Sequence, residues 1–372
     1  MARCSFMFEF SDIALMLIII VGSSTAFAAA TIGLFQNDIK KVIAYSTCSQ
    51  LGYMVFACGL SSYEVGLFHL SNHAFFKALL FLGAGSIIHA VNDEQDMRKL
   101  GGLQRLLPFS YSMMFIGSAA LIGFPFLTGF YSKDVILELA YSKYTVVGHY
   151  AYFLGSFAVF CTAFYSMRLL ILTFLHKPNG NKIIIMNAHE PSWKMALPLC
   201  LLCILSVNIG FLTKDLFIGF GTNFWGLSIF ILTNNYLLVD SEFVPIFYKL
   251  FPLICTLIGC FSAFFIYCFK LRIFLDIKLN NEYINKIIVS LSRKWFFDRI
   301  FSEFMTQNIL KTAYFFSYKN VDRGLIEQFG PLRIVTFFQK VSNDLIVFQN
   351  GSIFHYIIIL IFSMYLIFLF NF

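Results

Sequence analysis

Three ionisable side chains recur at four-residue intervals within the apolar stretch 65–90: His69, His73 and Lys77. Four residues advance an α-helix by about 400°, so these side chains share one face of a helix. A lone charge at the centre of a bilayer costs about 2.5–3.5 kcal/mol on insertion scales. Neighbouring histidine and lysine side chains can exchange protons. The row therefore predicts a proton relay.

A second group follows an interrupted apolar stretch at 110–140, which contains Gly123, Pro125 and Gly129. Interrupted membrane helices are tolerated only where the backbone lines a cavity or packs against protein, and they are typical of transporter ion sites. Lys133 and Asp134 come about two helical turns after Pro125. Lys133 is expected either inside the helix bundle or snorkelling to the membrane interface beside Asp134.

Other polar residues have weaker claims to a role in proton movement. Arg168 lies near the end of an apolar span, where snorkelling is favoured. The charged residues of 93–99 are typical of a solvated loop. Five small or polar residues could hold connecting water, although such residues also serve helix packing: Asp38, Thr47, Ser49, Ser71 and Asn72.

Three other kinds of site are disfavoured by the sequence. His69 and His73 form an HxxxH pattern, but it lacks the glutamate of a metalloprotease helix, and Lys77 would repel a cation. The CxxC of Cys200 and Cys203 lies in a bilayer segment and indicates packing. The other cysteines are scattered and form no disulfide framework. No dinucleotide fingerprint, phosphate-binding loop or iron–sulfur spacing occurs.

The composition sets the class of protein that must position these residues. The chain has 372 residues, of which 59% are hydrophobic and 13% are charged. Soluble domains carry about 25% charged residues. The net charge of +7 falls in loops, without the basic stripe and stacking aromatics of a nucleic-acid-binding protein. The sequence predicts an all-α polytopic membrane protein.

Apolar runs predict about eight transmembrane helices, and basic residues predict their orientation. The predicted spans are 13–35, 40–60, 65–90, 110–140, 147–175, 195–213, 245–270 and 352–371. Basic residues concentrate after the first, third, fifth and seventh spans: Lys40 and Lys41; Arg98, Lys99 and Arg105; Lys177, Lys182 and Lys194; Lys270, Arg272 and Lys278. These loops are expected on the negative side of the membrane, and both termini on the positive side.

Two further segments are neither ordinary spans nor ordinary loops. Residues 216–239 are apolar but contain several Gly and Asn residues, and we interpret them as an interfacial loop. Residues near 280–345 are helix-forming and amphipathic, so they should lie along the membrane surface or along a partner. Gly330-Pro331 should kink or interrupt this helix. An ordinary juxtamembrane helix is the simpler interpretation, and the length of the segment argues against it.

At these positions the sequence closely resembles the subunit 5 family of mitochondrial NADH:ubiquinone oxidoreductase (respiratory complex I), which belongs to the antiporter-like proton-translocating proteins. The resemblance runs through nearly all of the chain. It rests on QNDIKKVIAYSTCSQLGYM at 36–54, FHLSNHAFFKALLFLGAGSIIHA at 68–90, DEQDMRKLGGL at 93–103, GFPFLTGFYSKDVILELA at 123–140, KDLFIGFGTNFW at 214–225 and KWFFDRIF at 294–301.

The resemblance implies a domain organisation: a five-helix repeat of inverted-repeat type at 1–175, two further transmembrane helices with an interfacial loop at 176–275, a lateral helix at 276–350 and an anchor helix at 351–372. It also implies roles for site residues. His69, His73 and Lys77 would form the central proton-conducting row, and Lys133 with Asp134 the terminal site on the broken helix.

The resemblance further implies a setting in the mitochondrial inner membrane, with lipids and other membrane-arm subunits as partners. No cofactor is expected on this chain, because NADH, FMN, iron–sulfur clusters and ubiquinone would be bound by other subunits. The first repeat of the family has no counterpart here. We therefore expect either a fragment of a longer chain or a split subunit whose partner carries that repeat.

Two other functions remain open from the sequence. The chain could be a subunit of a multi-subunit sodium/proton antiporter, which would share the row and the broken helix. It could also be a structural brace of the membrane arm that acts through its lateral helix.

Overall fold

The computed structural model of the protein describes residues 1–219, 222, 224–226, 228–269, 281–349 and 351–370. This described part is helical, with one isolated β-bridge between Asp38 and Asp96. Six of its helices are long and apolar enough to cross a membrane: Asp12–Gly33, Tyr63–Ala90, Val146–Leu175, Trp193–Ile218, Ile246–Phe269 and Ile353–Phe370. The predicted all-α polytopic class is confirmed.

The chain divides into two units, Met1–Trp295 and Phe296–Phe372. The helices of the first unit are α1 (Ser5–Glu9), α2 (Asp12–Gly33), α3 (Ile39–Gly59), α4 (Tyr63–Ala90), α5 (Pro108–Ile122), α6 (Thr128–Ser142), α7 (Val146–Leu170), α8 (Lys182–Met186), α9 (Trp193–Ile218), α10 (Leu238–Glu242), α11 (Ile246–Phe264) and α12 (Glu282–Ser292). A π-helical turn, Ile171–Leu175, continues α7, and another, Phe265–Phe269, continues α11. The divisions predicted at residues 175, 275 and 350 stay predictions.

Two of the eight predicted spans are not among the six long apolar helices. The span at 40–60 is α3, and the span at 110–140 is the pair α5 and α6. Helix α3 packs closely on α2 because each helix has a glycine at the contact. A Cβ atom at Gly22 would lie 2.6 Å from Phe56 N, and one at Gly52 would lie 2.6 Å from Ala26 N. Small residues that let helix backbones approach are characteristic of membrane bundles.

Helix α4 lies inside the bundle and packs against α3, α5, α6 and α9. Several of its large apolar side chains, including Phe68, Phe76 and Leu80, are buried in the main core. The ionisable residues of α4 therefore lie within the same buried environment.

The predicted interruption of the fourth span is confirmed. Helix α5 ends at Ile122, and α6 begins at Thr128. Between them Gly123 has a left-handed φ of 90°, which glycine adopts without strain. A Cβ atom on Gly129 would lie 1.9 Å from the carbonyl oxygen of Ala120, so no larger residue fits there.

The segment after α9 forms no crossing helix over its described residues 222, 224–226 and 228–237, where the helical element is the short turn Thr233–Asn235. The buried carboxylate of Glu9 holds this segment in place. It accepts hydrogen bonds from Asn235 Nδ2 at 2.9 Å and from Tyr63 Oη at 3.0 Å. The predicted loop thus packs against the N-terminal helices.

Arg168 corrects one expectation, because it is buried and does not snorkel. Its guanidinium donates to the carbonyl oxygens of Leu34 and Gln36, both at 2.7 Å, and to Asn37 Oδ1 at 2.9 Å. The last carbonyls of a helix lack intrahelical partners. Arg168 supplies these donors at the turn between α2 and α3.

The charged loop at 93–99 is largely exposed, as predicted, and it is tied to the start of α3. Backbone hydrogen bonds join Ile39 N to Gln95 O and Met97 N to Asn37 O, both at 3.0 Å. Arg98 donates to both carboxylate oxygens of Asp96, which lowers the pKa of that carboxyl below its usual value. The loop is thereby held against the end of the bundle. The predicted basic residues Lys270, Arg272 and Lys278 lie outside the described residues.

Over its described residues 281–349, the predicted lateral helix has two breaks instead of one. As expected, it is interrupted at Gly330, which has a φ of −92° and a ψ of −108°. An additional break occurs where Lys294, Trp295 and Phe296 adopt left-handed φ angles between 54° and 57°. Trp295 Nε1 donates to Thr31 Oγ1 at 3.2 Å, a contact that local sequence cannot predict.

The second unit is a series of helical segments: Phe297–Ile300, a π-helical stretch Phe301–Thr306, Gln307–Thr312, a second π-helical stretch Ala313–Ile326, Glu327–Phe329, Pro331–Phe348 and Ile353–Phe370. Its large apolar side chains are exposed. The expected position along a membrane surface or a partner stays a prediction.

Candidate functional site

The ionisable row on α4 is buried along its whole length. His69 is 1% exposed, His73 is 7% exposed and Lys77 is 4% exposed. The three side chains point from one face of α4 into the bundle. The shared face deduced from their spacing is thus present in the folded chain.

Lys77 is held by helix α3. Its ammonium nitrogen donates to Ser46 Oγ at 2.8 Å and lies 5.7 Å from the centroid of the Phe81 ring. Lys77 and Ser46 also line a narrow cavity of about 10 Å³, together with Ser118 and Tyr165. The Tyr165 hydroxyl is buried and has no hydrogen-bond partner among the described residues. The lysine therefore faces polar groups able to carry a proton.

His73 lies between the other two members of the row. Its ring centroid is 6.3 Å from that of His69, and its ring packs edge-on against Phe76. Its Nε2 atom is buried and has no hydrogen-bond partner within the described residues. A ring nitrogen in this position can accept or release a proton without first breaking a bond to another side chain.

His69 joins three helices through its two ring nitrogens. Nδ1 lies 2.8 Å from Ser132 Oγ on α6, and Nε2 lies 3.0 Å from Gln50 Oε1 on α3. When Nε2–H donates to Gln50, the neutral ring accepts a hydrogen bond from Ser132 at Nδ1. The row on α4 is thereby connected to the broken helix.

The Ser132 hydroxyl has a second acceptor within reach. Its Oγ lies 3.4 Å from the carbonyl oxygen of Thr128. When His69 gains a proton at Nδ1, Ser132 can accept from Nδ1–H and turn its own hydrogen towards Thr128. The contact therefore survives a change in the charge of His69 with no movement of the heavy atoms.

Lys133 lies inside the bundle, which excludes the snorkelling alternative. It is 1% exposed, and its ammonium nitrogen donates to Thr162 Oγ1 on α7 at 3.0 Å. The same atom lies 5.6 Å from the centroid of the Tyr53 ring. Asp134 is only partly buried and makes no ion pair with Lys133 among the described contacts. The broken helix positions Lys133 because α6 starts again deep in the bundle.

The structure brings one of the five weaker polar candidates to the row. Asn72 is fully buried and donates to the carbonyl of Thr128 at 3.5 Å. The side chains of the other four make contacts elsewhere, and the expectation that they hold connecting water stays a prediction. Asp38 pairs with Lys41, Ser49 donates to Ala26 on α2, and Thr47 and Ser71 donate to carbonyls of their own helices.

Four partners of the row were missed from the sequence: Ser46, Gln50, Ser132 and Thr162. Ser46, Gln50 and Tyr53 recur at helical spacing along one face of α3, and this was the signal available for them. Thr162 gave no such signal, since nothing in the sequence singles it out from the other hydroxyl residues of its span, Ser156 and Ser166 among them. Within the described residues, no group of three or more His, Cys, Asp or Glu side chains is arranged to hold a metal ion.

Residues 165–371 match the family described as NADH dehydrogenase subunit 5 C-terminus, and residues 1–176 match the family described as NADH:quinone oxidoreductase/Mrp antiporter, TM. The chain belongs to the NADH dehydrogenase subunit 5 family. This membership confirms the resemblance drawn from the motifs.

Curated members of the subunit 5 family match almost the whole chain. NADH-ubiquinone oxidoreductase chain 5 of Phytophthora infestans is 53% identical over 362 residues, which cover 97% of this chain and 54% of that protein. The same-named protein of Marchantia polymorpha is 51% identical over 361 residues, with the same coverage of 97% and 54%. The chain thus spans about half the length of the relatives it matches.

A solved membrane complex shares the fold. A chain in the structure of the Mrp complex from Dietzia sp. DQ12-45-1b superposes with a TM-score of 0.61 at 22% identity, over 92% of this chain and 35% of that chain. At this identity the likeness concerns the fold, and it agrees with an antiporter-like helix bundle.

Proposed function

We propose that this chain carries protons across the membrane as part of subunit 5 of NADH:ubiquinone oxidoreductase. The protons move along Lys77, His73 and His69 to Lys133, and they are driven by electron transfer on other subunits. The observation that carries this proposal is the bridge of His69 to Ser132, which brings the row on α4 within one residue of buried Lys133.

Repulsion between neighbouring charges links the protonation of neighbouring members of the row. Two positive imidazoles 6.3 Å apart, the separation of the His69 and His73 rings, repel by about 3 kcal/mol at an effective dielectric constant of about 20. Such an energy changes a protonation equilibrium about a hundredfold. A proton that arrives at one member therefore drives the next proton onwards.

The polar groups beside the row lower the cost of holding one charge at a time. Ser46 accepts a hydrogen bond from the Lys77 ammonium, and Thr162 accepts one from the Lys133 ammonium. Gln50 accepts one from the imidazole Nε2–H of His69. Hydroxyl and amide oxygens stabilise a cation without fixing it as firmly as a carboxylate does. The charge can then move on.

The setting follows from the family and from the basic loops. Membership of a complex I subunit family supports a setting in the mitochondrial inner membrane with other membrane-arm subunits. Within the bundle, basic residues concentrate in the loop after α4, in the segment between α7 and α9 and in the first turn of α3, and the positive-inside rule supports the matrix side for them. The start of α4 then faces the intermembrane space.

Replacing Lys77 tests the proposal in intact complex I. Lys77→Ala is expected to lower proton pumping or coupled turnover several-fold while the complex assembles normally, because the row loses its first charge carrier. Exposed Lys40 supplies the matched control, since Lys40→Ala removes a charge from the surface of α3.

Two outcomes would favour the other functions. Pumping that requires sodium ions and is insensitive to quinone-site inhibitors would indicate a sodium/proton antiporter subunit. Normal pumping in Lys77→Ala with normal assembly would indicate a structural brace. Either result contradicts the proposed proton path.

A further inference from the structure

A second group of charges lies beyond Lys133, where α6 approaches α10 and the start of α11. Lys249 Nζ lies 3.7 Å from Glu138 Oε2 and 3.5 Å from Glu242 Oε2. One ammonium group on α11 is therefore shared between a carboxylate on α6 and a carboxylate on α10. The proton row described above uses none of these three residues.

Helix α6 connects this charge group to Lys133. Asp134 directly follows Lys133, and Glu138 comes four residues after Asp134 on the same helix. Side chains four residues apart on a helix are neighbours on one face. Glu138 interacts electrostatically with Asp134 as well as with Lys249. Acidic and basic groups thus recur along the second half of α6.

Exposure rises in order along this line of groups. Lys133 is 1% exposed, whereas the side chains of Glu138 and Lys249 are 13% and 35% exposed. The line therefore leads from the interior of the bundle to its surface. A chain of ionisable groups with rising exposure has the geometry that a proton needs to leave a buried site.

A purely structural role explains Glu138 less well. An ionisable side chain inside a membrane span is costly, and such residues mark proton and ion pathways more often than packing sites. An ion pair with the distant end of Lys249 at 3.7 Å adds little packing to α6 and α11. Lys249 has a second carboxylate to bind, so Glu138 can become neutral without leaving the lysine unpaired.

We propose that Glu138 is the carboxylate through which protons leave the row after Lys133, and that Lys249 positions it. This inference rests on the proposed proton path. The N–H bond of the Lys133 ammonium breaks, and its proton passes by way of the Asp134 carboxylate to Glu138, where an O–H bond forms. The O–H bond then breaks, the proton passes to surface water, and Glu138 again pairs with the Lys249 ammonium.

The direction of release follows from the fold. Glu138 lies towards the C-terminal end of α6, and Lys249 lies in the first turn of α11. This end of the bundle is opposite the basic loops after α2, α4 and α7. Protons that use Glu138 therefore leave on the positive side of the membrane.

Intact complex I that carries Glu138→Gln tests the inference. The glutamine keeps the shape of the side chain but cannot carry a proton. Coupled NADH oxidation is expected to fall at least about tenfold, which is below the contribution that positioned proton-transfer groups usually make. The solvent isotope effect in D₂O should rise, because proton release becomes rate-limiting, and Glu138→Asp should restore part of the rate.

The matched control removes the second carboxylate that pairs with Lys249. Glu242→Gln also takes a carboxylate from Lys249, so a structural ion pair would respond equally to both changes. The proposal expects Glu242→Gln to retain the rate and the isotope effect of the unchanged complex. Equal effects of the two substitutions would overturn the role of Glu138.

A second variant keeps the inference testable if Glu138→Gln fails to assemble. Lys249→Met leaves the carboxylate in place and removes its cation, so a slower rate with a larger isotope effect is expected. An assembled Lys249→Met complex with unchanged kinetics would contradict the positioning role. If Lys133→Ala stops pumping while Glu138→Gln does not, the release path is wrong and the proposed function stands.

Discussion

The Ser132 hydroxyl is the contact at which the row on α4 meets the residues of α6. It can donate to neutral His69 or accept from protonated His69, because the carbonyl of Thr128 lies within reach of its hydrogen. A methyl group in place of the hydroxyl removes both possibilities. The connection between His69 and Lys133 therefore depends on one small side chain.

Ser132→Ala is expected to slow coupled NADH oxidation several-fold while complex I assembles normally. The matched control is Ser156→Ala on α7. Ser156 is equally buried, but its hydroxyl donates only to the carbonyl of Phe153 in its own helix. Steady-state oxidation rates in sealed vesicles measure the difference. Equal rates in both variants would show that Ser132 carries no proton.

The sequence predicts the members of the row better than their partners. Spacing of four residues places His69, His73 and Lys77 on one face of a helix, whatever surrounds it. Their partners depend on how far each neighbouring helix slides along α4. Periodicity indicates a face but gives no such register, so Ser46 and Gln50 became visible only in the fold.

At the scale of elements, the break between α5 and α6 determines where Lys133 lies. Gly129 is the closest point of the two helices, since a Cβ there would lie 1.9 Å from Ala120 O. Any larger residue pushes the start of α6 away from α5. Lys133, one turn further on, would move away from Thr162 with it.

Gly129→Ala is expected to destabilise the subunit by about 1–3 kcal/mol, since overpacking of this kind forces the backbone apart. Gly85→Ala in α4 is the control, because nothing lies within 4 Å of a Cβ atom there. Alanine in an open helical position is neutral or stabilising by up to about 1 kcal/mol. The yield of complex I on native gels and its thermal midpoint measure both. Normal assembly of Gly129→Ala would refute the close approach.

The turn between α2 and α3 depends on Arg168 in a similar way. Arg168→Met would leave the acceptors of Leu34, Gln36 and Asn37 without their donor, at about 1–3 kcal/mol per buried group. We expect a marked loss of assembled complex. Arg98→Met breaks an exposed ion pair and should cost less than about 1 kcal/mol. Equal thermal stability of the two variants would argue against the buried role of Arg168.

The two breaks of the predicted lateral helix differ in whether the local sequence predicts them. Gly330-Pro331 carries its own signal, because glycine and proline end helices in any context. Lys294, Trp295 and Phe296 have no preference for left-handed backbone, and Trp295 is held by a contact to Thr31 that is distant in the sequence. Local sequence predicts the first kind of break and not the second.

At the scale of the whole molecule, the chain combines a bundle that buries its ionisable groups with a unit whose apolar side chains are exposed. Phe337, Phe338 and Ile358 are each more than half exposed in this second unit. Exposed apolar surface of this extent requires lipid or protein to cover it. The proposed proton path and the exposed apolar side chains thus lie in different parts of the chain.

Removing residues 296–372 is expected to prevent stable association of the subunit with the rest of complex I. The bundle at 1–295 contains the whole proposed proton path, so its loss from the complex would reflect attachment. Native-gel mass spectrometry measures the association, with a charge-neutral substitution at exposed Lys319 as the control. Association of the shortened chain at the normal level would show that the second unit is dispensable.

In the proposed path, Lys133, the buried lysine of the broken helix, carries protons. The most direct test is the number of protons pumped per electron by intact complex I that carries Lys133→Ala, with Lys40→Ala as the surface control. The Lys133→Ala complex is expected to assemble normally and to show a lower ratio or a several-fold lower turnover. The Lys40→Ala complex is expected to keep the ratio and turnover of the unchanged complex. An assembled Lys133→Ala complex with an unchanged ratio and turnover would contradict this role of Lys133.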